Sequence, residues 1–388
     1  MKIGIACYPT YGGSGVVATE LGKALANNQH QVHFISYNQP ARLDAFNENI
    51  FYHEVNINSY PLFDYLPYET ILASKFVDIV LAHDLDLLHV HYAIPHASAA
   101  IMAKSILIEK GKYCPVVTTL HGTDITLVGK DPTYEPVVAY SINHSDGITA
   151  VSNSLKEDTF KNFDIRKEIE VIPNFIDFKR FHKQQKNHFK TAIAQLGEKI
   201  IIHTSNFRKV KRVEDVVKIF ALVNKKIASK LLLVGDGPER ASIEKMCREH
   251  SVCDKVIFLG KQEAIEEVLS IGDLFLLPSQ TESFGLAALE AMACEVPVIS
   301  SNAGGLPEVN IDGFTGYTCN VGDVEKMAEM AISLLENPEK LASFKKQCLE
   351  HAKQYSLEKI MPMYENYYIK VLAASKNKET LRLNNLAK

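Results

Sequence analysis

Short runs rich in Val, Ile and Leu, each followed by a longer stretch of helical periodicity, recur from one end of the chain to the other. A strand covered by helices on both faces reads as a nearly continuous apolar run, because neither side meets water. Such runs at residues 3–7, 32–36, 87–91, 116–120, 147–151 and 170–172 predict one parallel sheet. Those at 199–204, 231–234, 256–259, 274–277 and 298–300 predict a second, with amphipathic helices at 213–225 and 325–336 among its covers. The fold class is therefore α/β, with two Rossmann-like doubly wound domains. A length of 388 residues agrees, since a single core stops growing well before that size. The turn Pro173-Asn174-Phe175-Ile176-Asp177 and the polar, basic run 179–190 mark a boundary rather than a core element, dividing the chain into 1–175 and 176–356. Ser356 stands where a helix N-cap belongs, ahead of a helical pattern to about residue 374 and a polar tail expected to fray.

A net charge of -4 leaves no footprint for nucleic acid, and a 46% hydrophobic composition excludes a disordered chain, so small molecules are the expected partners. Seven cysteines, without a C-x-x-C pair, suit a reducing compartment better than a disulfide framework, and Cys7 and Cys294 are expected as small buried hydrophobes. The opening strand is too short for the core of a signal peptide, and no apolar stretch approaches the roughly 20 residues of a membrane span. A soluble, cytoplasmic protein with no membrane partner is expected.

In doubly wound sheets ligands bind beyond the carboxyl ends of the strands, so motifs there carry the most weight. Gly12-Gly13-Ser14-Gly15-Val16-Val17-Ala18 follows the first strand and contains a G-x-G-x-x-A match to the dinucleotide fingerprint. The second strand, however, ends His33-Phe34-Ile35-Ser36-Tyr37-Asn38, without the carboxylate that would hold a ribose. What remains is a loop that lets backbone approach a ligand and a helix N-terminus at Ser14 that favours an anion, or else a tight turn for packing alone. Asp84-Leu85-Asp86 has a metal-binding spacing but precedes strand 87–91, which places it at the amino edge of the sheet. His89 and His91 share one strand face, with His96 shortly after, yet no cysteine or carboxylate completes a zinc spacing. No metal or cofactor is expected, so a bound diphosphate would have to meet Lys or Arg.

Ser205-Asn206-Phe207-Arg208-Lys209-Val210-Lys211-Arg212 meets that requirement, lying between the carboxyl end of a strand and a helix. Arg offers phosphate a bidentate fork and Lys a point charge, although a basic turn in solvent would look the same. Further on, Glu282 lies in the loop after strand 274–277, and Glu290 about one turn into the next helix. The N–H groups of Gly285 and Leu286 can point at phosphate, and paired carboxylates suit vicinal sugar hydroxyls. Glu290 alone reads equally as an ordinary helix-face acid.

These motifs, with Val234-Gly235-Asp236-Gly237-Pro238 and Gly304-Gly305-Leu306-Pro307-Glu308, resemble those of the retaining GT-B glycosyltransferases of family four over nearly the whole chain. The resemblance implies two facing domains that close about segment 173–183, an acceptor site in the first, a nucleotide-sugar site in the second, and a C-terminal helix (about 357–376) packed back on the first. Carried over residue by residue, it implies that Glu290 binds the ribose and Glu282 the donor sugar, with Phe284, Gly285 and Leu286 supplying backbone contacts. Arg208 and Lys211 bind the diphosphate, with Asn206 beside them, and Arg212 is an alternative to Lys211. His121 approaches the sugar, Phe258 and Leu259 face the uracil, and Gly13 and Gly15 contribute to the donor side of the first loop.

Three segments of the first domain resemble more narrowly those members of the family that glycosylate L-malate in bacillithiol biosynthesis: Cys7 to Gly15, His89 to His96, and Thr118 to Thr126. This implies UDP-GlcNAc as donor, the 2-hydroxyl of L-malate as acceptor, retention of the α-configuration and no metal. Arg208, Lys211, Glu282 and His121 are then the catalytic residues, Ser14, Tyr92 and Thr119 the acceptor-binding ones, and a homodimer is compatible. Another acceptor, a UDP-GlcNAc 2-epimerase and a silent sugar-nucleotide sensor are the competing readings.

Overall fold

The computed structural model describes residues 1–10, 12–43, 46–56, 67–129, 131–185 and 187–386. The chain divides into two compact units, Met1–Pro173 with Glu358–Lys388, and Asn174–Leu357.

Among the described residues the first unit has seven parallel strands: β1 (Lys2–Ala6), β2 (Gln31–Ser36), β3 (Ile50–Glu54), β4 (Leu87–His91), β5 (Val116–Leu120), β6 (Gly147–Ala150) and β7 (Glu170–Val171). Their spatial order is β3-β2-β1-β4-β5-β6-β7, so the direction of winding reverses between β1 and β4. Every residue of β4 and β5 is buried, which is why these strands read as unbroken runs. Helices Tyr68–His83 and Ser98–Glu109 bring Phe76, Val80, Ala99 and Ile101 onto Leu88, Val90 and Val116. Each large apolar side chain so buried contributes about 1.5–3 kcal/mol.

The C-terminal helix Leu357–Leu386 runs past the end expected near residue 374. It docks on β6 of the same unit. Tyr367 Oη accepts from the Ile148 N–H at 2.7 Å and donates to the Ile148 carbonyl at 3.0 Å. Gly147 makes room for it, since a Cβ there would lie 2.7 Å from Val371 and 2.9 Å from Tyr367.

The second unit has six parallel strands among the described residues: β8 (Lys199–Thr204), β9 (Ser229–Val234), β10 (Val256–Gly260), β11 (Leu274–Leu277), β12 (Val298–Ser301) and β13 (Gly316–Cys319). Their order, β10-β9-β8-β11-β12-β13, reverses between β8 and β11. Helices Val213–Asn224 and Val324–Leu335 set Val216, Phe220, Ala331 and Leu334 against Ile201, Leu231, Leu276 and Ile299. The basic run read as a boundary rather than a core element ends in a helix, Asn187–Ile193, whose Lys190 Nζ stands 3.2 Å from Asp273. Cys7 and Cys294 are buried, and burial pushes both thiols up to about 12. No helix among the described residues is long and apolar enough to cross a membrane.

Candidate active site

The ligand crevice of a doubly wound sheet lies where the strand order reverses. In the second unit that point lies between the carboxyl ends of β8 and β11. The loop after β8 is shaped by Phe207, which is buried at φ 33°, while Asn206 and Arg208 are exposed. Gly235 and Gly237 support it from below: a Cβ would sit 1.8 Å from the Ser205 carbonyl at one and 2.2 Å from the Asn206 carbonyl at the other. The loop after β11 is tied to it by the Gln280 N–H, which donates to the Val210 carbonyl at 2.7 Å.

Two residues far apart in sequence meet as a result. Lys211 Nζ lies 2.6 Å from Glu282 Oε2, and Ser279 Oγ approaches the same oxygen at 3.4 Å. The backbone of Glu282 is gripped as well, because its carbonyl accepts from the Gly305 N–H at 2.9 Å. Gly304 adopts φ +54°, and a Cβ there would lie 2.0 Å from that carbonyl. Arg212, the alternative cation, turns instead to the buried Asp215, with Nε 2.6 Å from Oδ2. Lys211 is thus the cation that faces Glu282.

Gly285, at φ +98°, begins helix Leu286–Ala293, and a Cβ there would strike the Leu306 side chain at 2.6 Å. The first N–H groups of such a helix have no partner within it and favour an anion. Phe284 is buried edge-on to Tyr355, with centroids 5.7 Å apart, so only its backbone can serve a ligand. Glu290 lies half-buried along the helix, and the Phe258 ring is covered by the Arg240 guanidinium at 3.9 Å. Leu259 is half-buried at the end of β10, where its carbonyl accepts from Gln262 Nε2 at 2.5 Å.

In the first unit the reversal falls between β1 and β4, and the side chains that follow these strands touch. Ser14 Oγ and Tyr92 Oη are 2.7 Å apart. Tyr92 holds the left-handed conformation, φ 81°, which a non-glycine residue adopts at a cost, and its N–H donates to the Thr119 carbonyl at 2.9 Å. Tyr8 packs edge-on to both Tyr92, at 5.4 Å, and His96, at 4.7 Å. Burial pushes the Tyr8 and Tyr92 hydroxyls up to about 12, so both are neutral donors at neutral pH.

Behind them runs a chain of imidazoles. His91 Nδ1 lies 2.7 Å from His121 Nε2, His96 Nδ1 lies 2.7 Å from the His91 carbonyl, and His89 bridges Thr119 Oγ1 and Tyr368 Oη, each at 2.7 Å. Burial, reinforced by their mutual proximity, holds His89 and His121 down to about 3 and His91 well below its ordinary value. They are neutral imidazoles, able to donate or accept but carrying no charge. Asp124 anchors the turn after His121: it is buried and accepts from the N–H groups of Ala93 at 2.8 Å and Gly122 at 3.1 Å. Burial raises its carboxyl to about 6 even though those N–H groups pull the other way.

Two expectations change. Thr119 does not offer its hydroxyl to an acceptor, since that oxygen is buried between His89 and Thr149; its carbonyl positions Tyr92. Gly15 does not line a donor surface either. It is buried, and a Cβ would lie 2.5 Å from the carbonyls of Tyr8 and Thr10, so it allows the loop to lie on the helix, whereas Gly13 is exposed in the first turn. Asp84 pairs with Lys112, and Asp86 Oδ2 accepts from the Lys2 N–H at 2.7 Å, at the amino ends of β4 and β1. Asp124, Tyr8 and Gly304 fall within segments that the sequence singled out but were given no role there, and Ser279 carried no signal.

The chain matches the model of Glycosyltransferase Family 4 over residues 11–180 and that of the group 1 glycosyl transferases over residues 183–351. It is 47% identical over 379 residues to the N-acetyl-alpha-D-glucosaminyl L-malate synthase of Bacillus anthracis, covering 97% of this chain and 99% of that one. Among solved structures it is similar to sucrose-phosphate synthase from Thermosynechococcus elongatus, at 22% identity and a TM-score of 0.79 over 96% of this chain and all (100%) of that one. Anabaena HepE in complex with UDP-glucose gives 21% identity and a TM-score of 0.79 with the same coverage, a likeness of fold. Identity of nearly one residue in two across both whole chains, on this fold, makes the chain a member of the family of GT-B glycosyltransferases to which the N-acetyl-alpha-D-glucosaminyl L-malate synthase belongs.

Proposed function

We propose that the chain moves N-acetylglucosamine from UDP-GlcNAc to the 2-hydroxyl of L-malate with retention of the α-configuration, the malate-glycosylating step of bacillithiol biosynthesis in the cytoplasm. The observation that carries the reading is the Lys211–Glu282 pair at the strand reversal of the second unit, in a chain 47% identical to an N-acetyl-alpha-D-glucosaminyl L-malate synthase.

In this mechanism the bond from C1 of the sugar to the β-phosphate oxygen breaks, and C1 bonds to the malate hydroxyl oxygen on the same face. The hydroxyl proton passes to the departing phosphate. Charge grows on the diphosphate as it leaves, so Arg208, Lys211 and the N–H groups of Gly285 and Leu286 stabilise the transition state more than the ground state. Glu282 accepts a sugar hydroxyl and keeps Lys211 oriented, and Glu290 holds the ribose. Phe258 and Leu259 border the uracil, and Asn206 lies beside the diphosphate. Neutral His121 donates to the sugar. Ser14 and Tyr92 donate to a malate carboxylate, aided by the positive end of helix Gly13–Asn27. The diphosphate charge is met by side chains, so the reaction proceeds without a divalent cation.

Purified protein in EDTA, given UDP-GlcNAc, UDP-glucose or GDP-mannose with and without L-malate, tests this. Malate-dependent UDP release with UDP-GlcNAc, and a product of the mass of GlcNAc-malate, is the expected result. Release of UDP regardless of malate, or a requirement for added metal, overturns it.

A further inference from the structure

Away from both strand reversals, three histidines from three elements converge at the edge of the first sheet. His33 lies on β2, His53 on the edge strand β3, and His83 ends helix Tyr68–His83. In the parallel register His33 pairs with Phe51 and Ile35 with His53, so both imidazoles project from the same face. The His33 and His53 rings lie nearly coplanar, centroids 5.2 Å apart and planes at 4°, and His83 lies 4.6 Å from His33 and 5.0 Å from His53. One nitrogen from each falls within 4.8 Å of the other two. His33 Nδ1 and His53 Nε2 are already 2.9 Å apart, and His33 Nε2 is buried with no hydrogen-bond partner among the described residues.

We propose that His33, His53 and His83 form a binding site for a borderline divalent transition metal, Zn(II) above all, that staples β3 to β2 and to the end of helix Tyr68–His83. Bonds of about 2.0–2.1 Å to three imidazoles in a tetrahedral arrangement set the nitrogens roughly 3.4 Å apart, between the 2.9 Å of the His33–His53 pair and the 4.8 Å that bounds the set of three. Nitrogen ligands select Zn(II), Ni(II) or Cu(II) over Mg(II) or Ca(II), and water takes the fourth position. Burial holds His33 and His53 down to about 4, which leaves their lone pairs unprotonated at neutral pH. The Lys2 ammonium, which donates to the His83 carbonyl at 3.0 Å, and Lys75 beside His53 weaken the site relative to one rich in thiolates. A staple there has a purpose, because among the described residues β3 has a neighbour on one side only and exposes Phe51 and Tyr52.

The test uses the full-length, tag-free protein after chelation, titrated with Zn(II) against a chromophoric chelator and, separately, with Co(II) while its visible absorption is followed. One Zn(II) per chain, a Co(II) spectrum of tetrahedral type and a melting temperature that rises with free Zn(II) but not with Mg(II) are expected. His53→Gln and His83→Gln, each checked for folding in the metal-free state, weaken Zn(II) binding at least ~10-fold. No stoichiometric binding by the parent protein, or unchanged binding in whichever variant folds, means that the three rings are a hydrogen-bonded aromatic cluster and overturns the proposal.

Discussion

At the scale of single residues, the chemistry proposed for the second unit rests on one contact. Lys211 and Glu282 are 71 positions apart and meet at 2.6 Å, with Gly304 and Gly305 fixing the carboxylate's backbone. Neither residue then acts independently. Lys211→Met and Glu282→Gln should each lower kcat by ~10²–10³, and the double variant should lose much less than the product of the two. Fully multiplicative losses in a double-mutant cycle would separate their roles. In the first unit, Tyr92→Phe removes a hydroxyl that meets Ser14 and keeps the ring that packs on Tyr8. It should raise KM for malate by roughly 10-fold, about 1.4 kcal/mol, and leave KM for UDP-GlcNAc unchanged. A variant altered in the donor KM alone would place Tyr92 on the sugar.

At the scale of elements, what could be read in the sequence follows burial. Strands covered on both faces, such as β4 and β5, are apolar throughout and were legible as runs. β3 and β13 were not, for each stands at the edge of its sheet and exposes part of its length, so neither gives an unbroken run nor a clean alternation. Docking of the C-terminal helix depends on Tyr367 and Gly147, a pairing that local periodicity cannot reveal. Tyr367→Phe strands both Ile148 backbone groups in a buried position and should destabilise the protein by about 1–3 kcal/mol. Chemical denaturation of the variant measures this, and an unchanged midpoint would mean that water replaces the hydroxyl. The site followed the same rule. Motifs on one loop, such as Arg208 to Arg212, could be picked out, but that Lys211 turns to Glu282 and Arg212 to Asp215 shows only once distant segments are in place.

At the scale of the whole molecule, stability should depend on pH through the buried imidazoles. His89, His96, His121 and His203 sit at about 3–4 in the folded chain and His91 well below its ordinary value, so each folds neutral and binds a proton more readily when unfolded. Their contribution is complete above the ordinary value of 6.5 and is lost as pH falls toward those lower values. Asp124, raised to about 6, works in the opposite sense: it favours the folded state at low pH and loses that contribution as pH rises through 6, but it is one group against five. Each fully buried histidine then accounts for up to about 2 kcal/mol between about pH 7 and pH 5. The melting temperature should fall steeply over that interval, and a flat profile would show that the histidines titrate normally.

The transfer itself is tested most directly by NMR of the product formed from UDP-GlcNAc and L-malate. An α-anomeric proton whose sugar carbon correlates through the new oxygen with C2 of malate is the predicted result. A β-anomer would contradict same-face transfer, and the absence of any malate adduct would contradict the assignment of the acceptor.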